Sequence, residues 1–334
     1  MKLWRLIFCG CALVLTTRVA VAEDPPATQS VARPFTEEDI SVVTGKYELP
    51  GKLTLPIGEG RFPAVVLVHG SGPHDMDESI GPHKVFKDLA EGLAAQGIAV
   101  LRYEKRTHKY AMAMAVEKPT LAKEVLEDAV SAVTVAREQP RIDPQRVFLL
   151  GHSLGGTCAP LVAARIPDLA GFISLSGTPR SLLDLVDEQM DYIMHLGDKF
   201  GEKKQRQLDE IHKTTQLIRE GKYDEVKTPL LGAPTTYWVE CHKLDVLTPA
   251  KKFGKPILII GGGRDYQVTQ KCFDAWKAGL KGCTNVTYKW YENVDHLFQK
   301  GEGMATPDEY FKPGHVSKKV IREIAEWIKA VKQP

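Results

Sequence analysis

The chain reads as short, unbroken apolar runs separated by longer amphipathic stretches. The runs are Ala64-Val65-Val66-Leu67-Val68, Ala99-Val100-Leu101, Val147-Phe148-Leu149-Leu150, Gly171-Phe172-Ile173-Ser174-Leu175 and Pro256-Ile257-Leu258-Ile259-Ile260, and Val286 to Tyr291 reads as a further strand. Each has the length of a strand, and continuous rather than alternating apolarity means that both faces of the sheet are covered. Between them, Val85 to Gln96, Leu121 to Glu138, Leu154 to Ala164, Gln267 to Leu280 and Val316 to Val331 carry helical spacing. Strand and helix in alternation predict a doubly wound, mostly parallel α/β sheet. Ahead of it, Ser30 to about Pro50 is a polar lead-in turning into strand-like alternation, which Lys52 to Leu55 continue after a turn expected at Pro50-Gly51.

The rhythm breaks between Thr178 and Ala250. Here Leu182 to Leu196 and Glu202 to Glu220 are charged and helix-friendly, and Pro229 to Pro249 carries Tyr237 and Trp238. An insertion of that length between two core strands forms a lid or pocket wall more often than an idle crossover, so a helical cap is expected at 178–250. The core then falls into two parts, 40–177 and 251–334.

At the N-terminus, Lys2 and Arg5 precede an apolar stretch from Leu6 to Leu15, and Ala20-Val21-Ala22 stands ahead of Glu23-Asp24-Pro25-Pro26. That is the layout of a secretory signal peptide over 1–22, followed by a polar lead-in over 23–39. The apolar run is short of the roughly 20 residues a membrane span needs. Export, to the periplasm or beyond, with no lasting membrane insertion is therefore expected. Cleavage would remove Cys9 and Cys11 and leave Cys158, Cys241, Cys272 and Cys283 where disulfides can persist. Their pairing is open, although Cys272 and Cys283 bracket an expected helix that would hold them apart, and Cys158 reads as a packed thiol. No Cys/His grouping has the spacing of a zinc site, and no cofactor motif is present. With 44 Lys and Arg against 42 Asp and Glu in 334 residues, nothing points to a nucleic-acid partner.

The chemistry concentrates at Gly151-His152-Ser153-Leu154-Gly155, a G-x-S-x-G between an apolar strand and a helix. A serine in such a nucleophile elbow is strained, and the positions two before and two after it must be small. The N–H of Leu154 opens the following helix and is one oxyanion donor. The N–H of Ser71, in His69-Gly70-Ser71-Gly72 after the first core strand, is the other. Chain order in this architecture runs serine, acid, histidine. Gly261-Gly262-Gly263-Arg264-Asp265 and Glu292-Asn293-Val294-Asp295-His296 close successive strands, so Asp265 is the expected acid and His296 the expected base, with Asp295 the rival acid. His152, Tyr237 and Trp238 are candidate substrate contacts. Asp75, Asp77, Glu78 and Arg106 read as ion pairs that fix the first loop, His69 as a brace for it.

His69-Gly70-Ser71-Gly72-Pro73, Asp75 with Asp77-Glu78, Arg102-Tyr103-Glu104-Lys105-Arg106, Gly151 to Gly156, Asp265-Tyr266-Gln267-Val268 and Asp295-His296-Leu297-Phe298 together resemble the α/β-hydrolase superfamily. The likeness is to exported bacterial serine hydrolases of the serine-aminopeptidase-like and dienelactone-hydrolase-like group, over roughly Val42 to Ile328. The resemblance implies an α/β-hydrolase fold and hydrolysis of small-molecule carboxyl esters through an acyl-enzyme. Ser153, Asp265 and His296 match the triad, and Ser71 and Leu154 the oxyanion donors. Peptide or thioester cleavage by the same triad, or a silent binding protein that keeps the fold, are the competing readings.

Overall fold

The structure, a computed structural model, describes residues 33–197 and 201–332. The expected signal peptide and the first part of the lead-in lie outside the described residues. Strands β1 (Phe35–Thr44), β2 (Tyr47–Pro56), β3 (Phe62–Val68), β4 (Ala99–Tyr103), β5 (Ile142–His152), β6 (Gly171–Leu175), β7 (Ile257–Gly262) and β8 (Val286–Tyr291) form an eight-stranded sheet in the order β1-β2-β4-β3-β5-β6-β7-β8. β1 and β2 are an antiparallel hairpin and β2 runs antiparallel to β4, while the remaining pairs are parallel. Helices α1 (Val85–Ala94), α2 (Glu127–Arg137), α3 (Leu154–Ala163), α4 (Leu182–His195), α5 (Glu202–Arg219), α6 (Thr235–His242), α7 (Leu247–Lys252), α8 (Gln270–Gly279) and α9 (Lys318–Ala330) complete the frame.

The unbroken apolar strands serve two cores at once. Ala64, Val66 and Val68 of β3 join one core with α2 and α3, while Val65 and Leu67 join another with α1 and α9. Period-two alternation is present, but both phases are apolar because helices cover both faces. α4 to α7 lie between β6 and β7, where the insertion is expected, and Leu183, Val186, Leu208 and Trp238 extend the first core into them. The carboxyl ends of the parallel strands therefore meet a wall of helices, the place where ligands bind in open α/β sheets.

The hairpin at the sheet edge departs from the sequence reading. The chain turns at Gly45-Lys46, where Thr44 pairs with Tyr47 and Gly45 takes φ +57°, and Pro50-Gly51 lies inside β2. Gly51 faces Tyr103 of β4, and a Cβ there would sit 2.5 Å from the Arg102 carbonyl oxygen. The glycine marks close approach of two backbones rather than a turn. The sheet likewise begins at Phe35, inside what reads as polar lead-in, because β1 is an edge strand with only two of its ten residues buried.

Candidate active site

Ser153 sits between β5 and α3 with φ +52° and ψ −115°, a conformation sparsely populated for any residue but glycine. The glycines around it are steric requirements. A Cβ on Gly151 would collide with the backbone of Gly155 and Gly156, and one on Gly155 with the backbone of Val68 and His69. The turn is held because Ser153 N–H donates to the Leu175 carbonyl at 2.9 Å, tying it to β6. Pro160 inside α3 cannot supply the N–H due to the Gly156 carbonyl, and Ser174 Oγ donates to it instead at 2.9 Å.

Ser153 Oγ lies 3.0 Å from His296 Nε2, and His296 Nδ1 lies 2.7 Å from Asp265 Oδ2. These three residues, brought from the ends of β5, β7 and β8, are adjacent at the carboxyl edge of the sheet. Because the Asp265 oxygen accepts, Nδ1 carries the proton and Nε2 is left to accept from the serine hydroxyl. The other Asp265 oxygen accepts from the N–H groups of Gln267 and Val268, both at 2.8 Å. That use of backbone donors delays α8, which starts at Gln270 rather than at Gln267 as its periodicity predicts. Asp295 faces elsewhere: its Oδ1 accepts from Leu297 and Gln299 N–H at 2.9 Å and shapes the loop that carries His296.

The loop after β3 is pinned on both sides of Ser71. Gly70 N–H donates to Glu78 Oε1 at 2.6 Å and Gly72 N–H to Glu124 Oε1 at 3.1 Å. The Gly70 carbonyl accepts from Lys105 Nζ at 2.6 Å and the Ser71 carbonyl from His74 Nε2 at 2.8 Å. A side chain at Gly70 would meet Ser153 Cβ at 3.2 Å, so loop and nucleophile turn are in contact. Leu154 opens α3, where the first N–H groups have no intrahelical acceptor, and both Leu154 and Ser71 line the cavity over Ser153. His69 braces the loop by donating from Nε2 to the Asp75 carbonyl at 3.0 Å; burial presses its ionisation down to about 3, so the ring is neutral.

Lys105, which the sequence reading named in a motif without a role, and Glu124, which it passed over, are site residues. Glu124 Oε1 accepts from Lys105 Nζ at 2.7 Å, and Oε2 from Tyr237 OH at 2.7 Å, so one buried carboxylate joins the loop to α6 of the insertion. Burial opposes its charge, but Lys105 and the hydrogen bonds prevail and its ionisation is lowered. Glu124 lies in a π-helical stretch, Ala122–Leu126, that precedes α2, where periodicity alone gives one ordinary helix. The available signal was a carboxylate inside the otherwise apolar stripe Leu121, Val125 and Ala129.

His152, expected to touch substrate, has no ring nitrogen free for it. Nδ1 lies 2.9 Å from Glu78 Oε2 and Nε2 2.9 Å from the carbonyl oxygen of His296. Both partners are acceptors, so both nitrogens donate and the ring is an imidazolium. Burial works against that charge; the Glu78 carboxylate outweighs it and raises His152, while Glu78, despite its own burial, is held at about 2 by His152. Tyr237 and Trp238 do line the cavity, and the Trp238 Nε1 also donates to the Leu230 carbonyl at 2.8 Å. The charged residues near the first loop form separate anchors: Asp75 holds Ser79, Asp77 holds Arg102 and Lys84, and Arg106 holds Glu127 and Asp128. Cys158, Cys241, Cys272 and Cys283 are all free thiols. Among the described residues, no helix is long and apolar enough to cross a membrane.

Comparison with known proteins places the chain among hydrolases. The family described as serine aminopeptidase, S33, matches residues 62–301, which include all three triad positions. Esterase EstD of Thermotoga maritima is 43% identical over 301 residues, covering 88% of this chain and 68% of the relative. Among solved structures, an esterase of Pyrococcus furiosus superposes with a TM-score of 0.59 at 17% identity, covering 92% of this chain and 97% of its own. Est1E of Butyrivibrio proteoclasticus with ferulic acid bound superposes with a TM-score of 0.58 at 20% identity, covering 87% and 98%. The last two establish an α/β-hydrolase fold. With the nucleophile turn, the strand order and a match over most of its length, this chain belongs to the serine aminopeptidase S33 family of α/β-hydrolases.

Proposed function

We propose that the protein is a serine esterase that hydrolyses small carboxyl esters through an acyl-enzyme on Ser153. The observation that carries this is the unbroken chain of hydrogen bonds from Ser153 Oγ to His296 and from His296 to Asp265. His296 Nε2 takes the hydroxyl proton as Oγ attacks the ester carbonyl carbon, and the carbonyl oxygen becomes an oxyanion facing the N–H groups of Leu154 and Ser71. Asp265 keeps the ring in the accepting tautomer and stabilises the imidazolium. Collapse breaks the bond to the alcohol, which leaves with the proton from His296. Water, activated by the same imidazole, then attacks the acyl carbon and frees the acid and Ser153.

The identity to an esterase favours this substrate class, and so does the cavity wall. The cavity under the insertion has no aspartate or glutamate among its described lining residues, and Glu78, which lines the smaller cavity beside Ser153 and His296, is committed to Gly70 N–H and His152. An aminopeptidase needs a carboxylate to hold the substrate's terminal ammonium. The test compares p-nitrophenyl butyrate with aminoacyl p-nitroanilides. Turnover of the ester, lost by a factor of roughly 10⁶ in Ser153→Ala, is expected; anilide cleavage without ester cleavage would overturn the assignment.

The helices α4 to α6 act in this reading as the cap that shapes the acyl pocket. Export rests on Lys2, Arg5, the apolar run to Leu15 and Ala20-Val21-Ala22, and N-terminal sequencing of protein recovered outside the cytoplasm should start at Glu23.

A further inference from the structure

Leu230, Leu231, Gly232 and Ala233 make a tight turn ahead of α6, closed by the Ala233 N–H donating to the Leu230 carbonyl at 3.1 Å. Both central residues are left-handed, Leu231 at φ +46° and Gly232 at φ +73°. Such a turn favours asparagine, aspartate or glycine at its first central position, and a γ-branched leucine is strained there. The Leu230 carbonyl also accepts from Trp238 Nε1, which fixes the turn against the cavity wall.

Leu231 lines two cavities. One is the cavity over Ser153, of about 70 Å3; the other, about 240 Å3, is a groove open to solvent between α4, α5 and the segment leading to this turn. Met190, Met194, Ile211 and Leu230 give the second cavity an apolar wall, and Gln207, Glu210, Thr214 and Thr228 supply its polar part. α4 runs along both, with Val186 in the first and Met190 and Met194 one and two turns further in the second, a single i, i+4 stripe. Methionines suit a pocket that accepts flexible chains.

We propose that Leu231 is the stop of an acyl-binding channel, and that the groove behind it is a latent subsite for the distal carbons of a linear medium-length acyl chain. The inference rests on the esterase reading above and adds the residue that sets chain length. With Leu231 in place, the acyl chain ends in the cavity over Ser153 and short esters are preferred. Without its side chain the two cavities join, and carbons beyond the stop lie against Met190 and Met194.

The experiment measures kcat/KM for p-nitrophenyl esters from acetate to decanoate. Leu231→Gly suits the left-handed backbone and removes the side chain; the ratio of octanoate to butyrate should rise at least tenfold. Adding Met194→Trp to Leu231→Gly refills the groove and should return the ratio to within threefold of the original. Leu231→Phe should lower it. An unchanged ratio in Leu231→Gly, with ester turnover intact, overturns the stop and leaves the esterase reading standing, as does a raised ratio that Met194→Trp fails to reverse. Absence of turnover for every ester in the unaltered protein, with the chain folded by circular dichroism, overturns the esterase reading and this inference with it.

Discussion

Two neighbouring carboxylates, Asp265 and Asp295, separate by what their oxygens accept. Asp265 takes His296 Nδ1 on one oxygen and two backbone N–H groups on the other, whereas Asp295 takes only backbone N–H groups of its own loop. Asp265→Asn can present an amide N–H to the ring and favour the wrong tautomer, so kcat should fall by about 10⁴ with little change in KM. Asp295→Asn keeps an acceptor oxygen for Leu297 and Gln299, and kcat should stay within about tenfold of the original. Steady-state kinetics on one ester, run on both variants, separates the two roles; equal losses would contradict the assignment. Chain order and strand-end position pointed to Asp265 from the sequence. The bracing role of His152 was not legible, because it depends on Glu78 and on a carbonyl 144 residues away.

At the scale of elements, the parallel strands were legible because each is a compact apolar run, and the helices because one face is apolar. The misread turn at Pro50-Gly51 shows the limit: proline and glycine punctuate a chain, but here glycine was needed so that β2 could lie close against β4. Gly51→Val should lower stability by about 1–3 kcal/mol through overpacking, measurable as a lower midpoint in urea without loss of the active site. Glu124 escaped the sequence reading for a similar reason, since its partners Gly72, Lys105 and Tyr237 come from three other segments. Glu124→Gln leaves the Lys105 ammonium buried without its carboxylate, which should cost about 3 kcal/mol of stability. It should also lower kcat by about tenfold through a looser Ser71 loop, with KM nearly unchanged. Lower stability with unaltered kcat would mean that the carboxylate holds the fold and not the loop.

Across the whole molecule, the buried histidines of the first loop set a direction for pH. His69 is held at about 3 in the folded chain by burial, and a histidine in the unfolded chain takes up its proton near 6.5. The unfolded chain therefore binds more protons between those values, and stability contributed by His69 is present above pH 6.5 and lost as pH falls toward 3. Unfolding free energy should drop by on the order of 1 kcal/mol per pH unit across that window from this ring alone, and His69→Gln should flatten the profile. That loss falls on the same loop that carries Ser71, so acid should weaken the oxyanion site as it weakens the fold. Activity depends on a serine activated by a histidine that lies 143 residues further along the chain and 3.0 Å away in space. Intact mass after exposure to a fluorophosphonate tests this most directly: one adduct per chain, located on Ser153, absent in Ser153→Ala and greatly slowed in His296→Ala, is the expected result. An adduct on another residue, or labelling of Ser153 at an undiminished rate without His296, would contradict it.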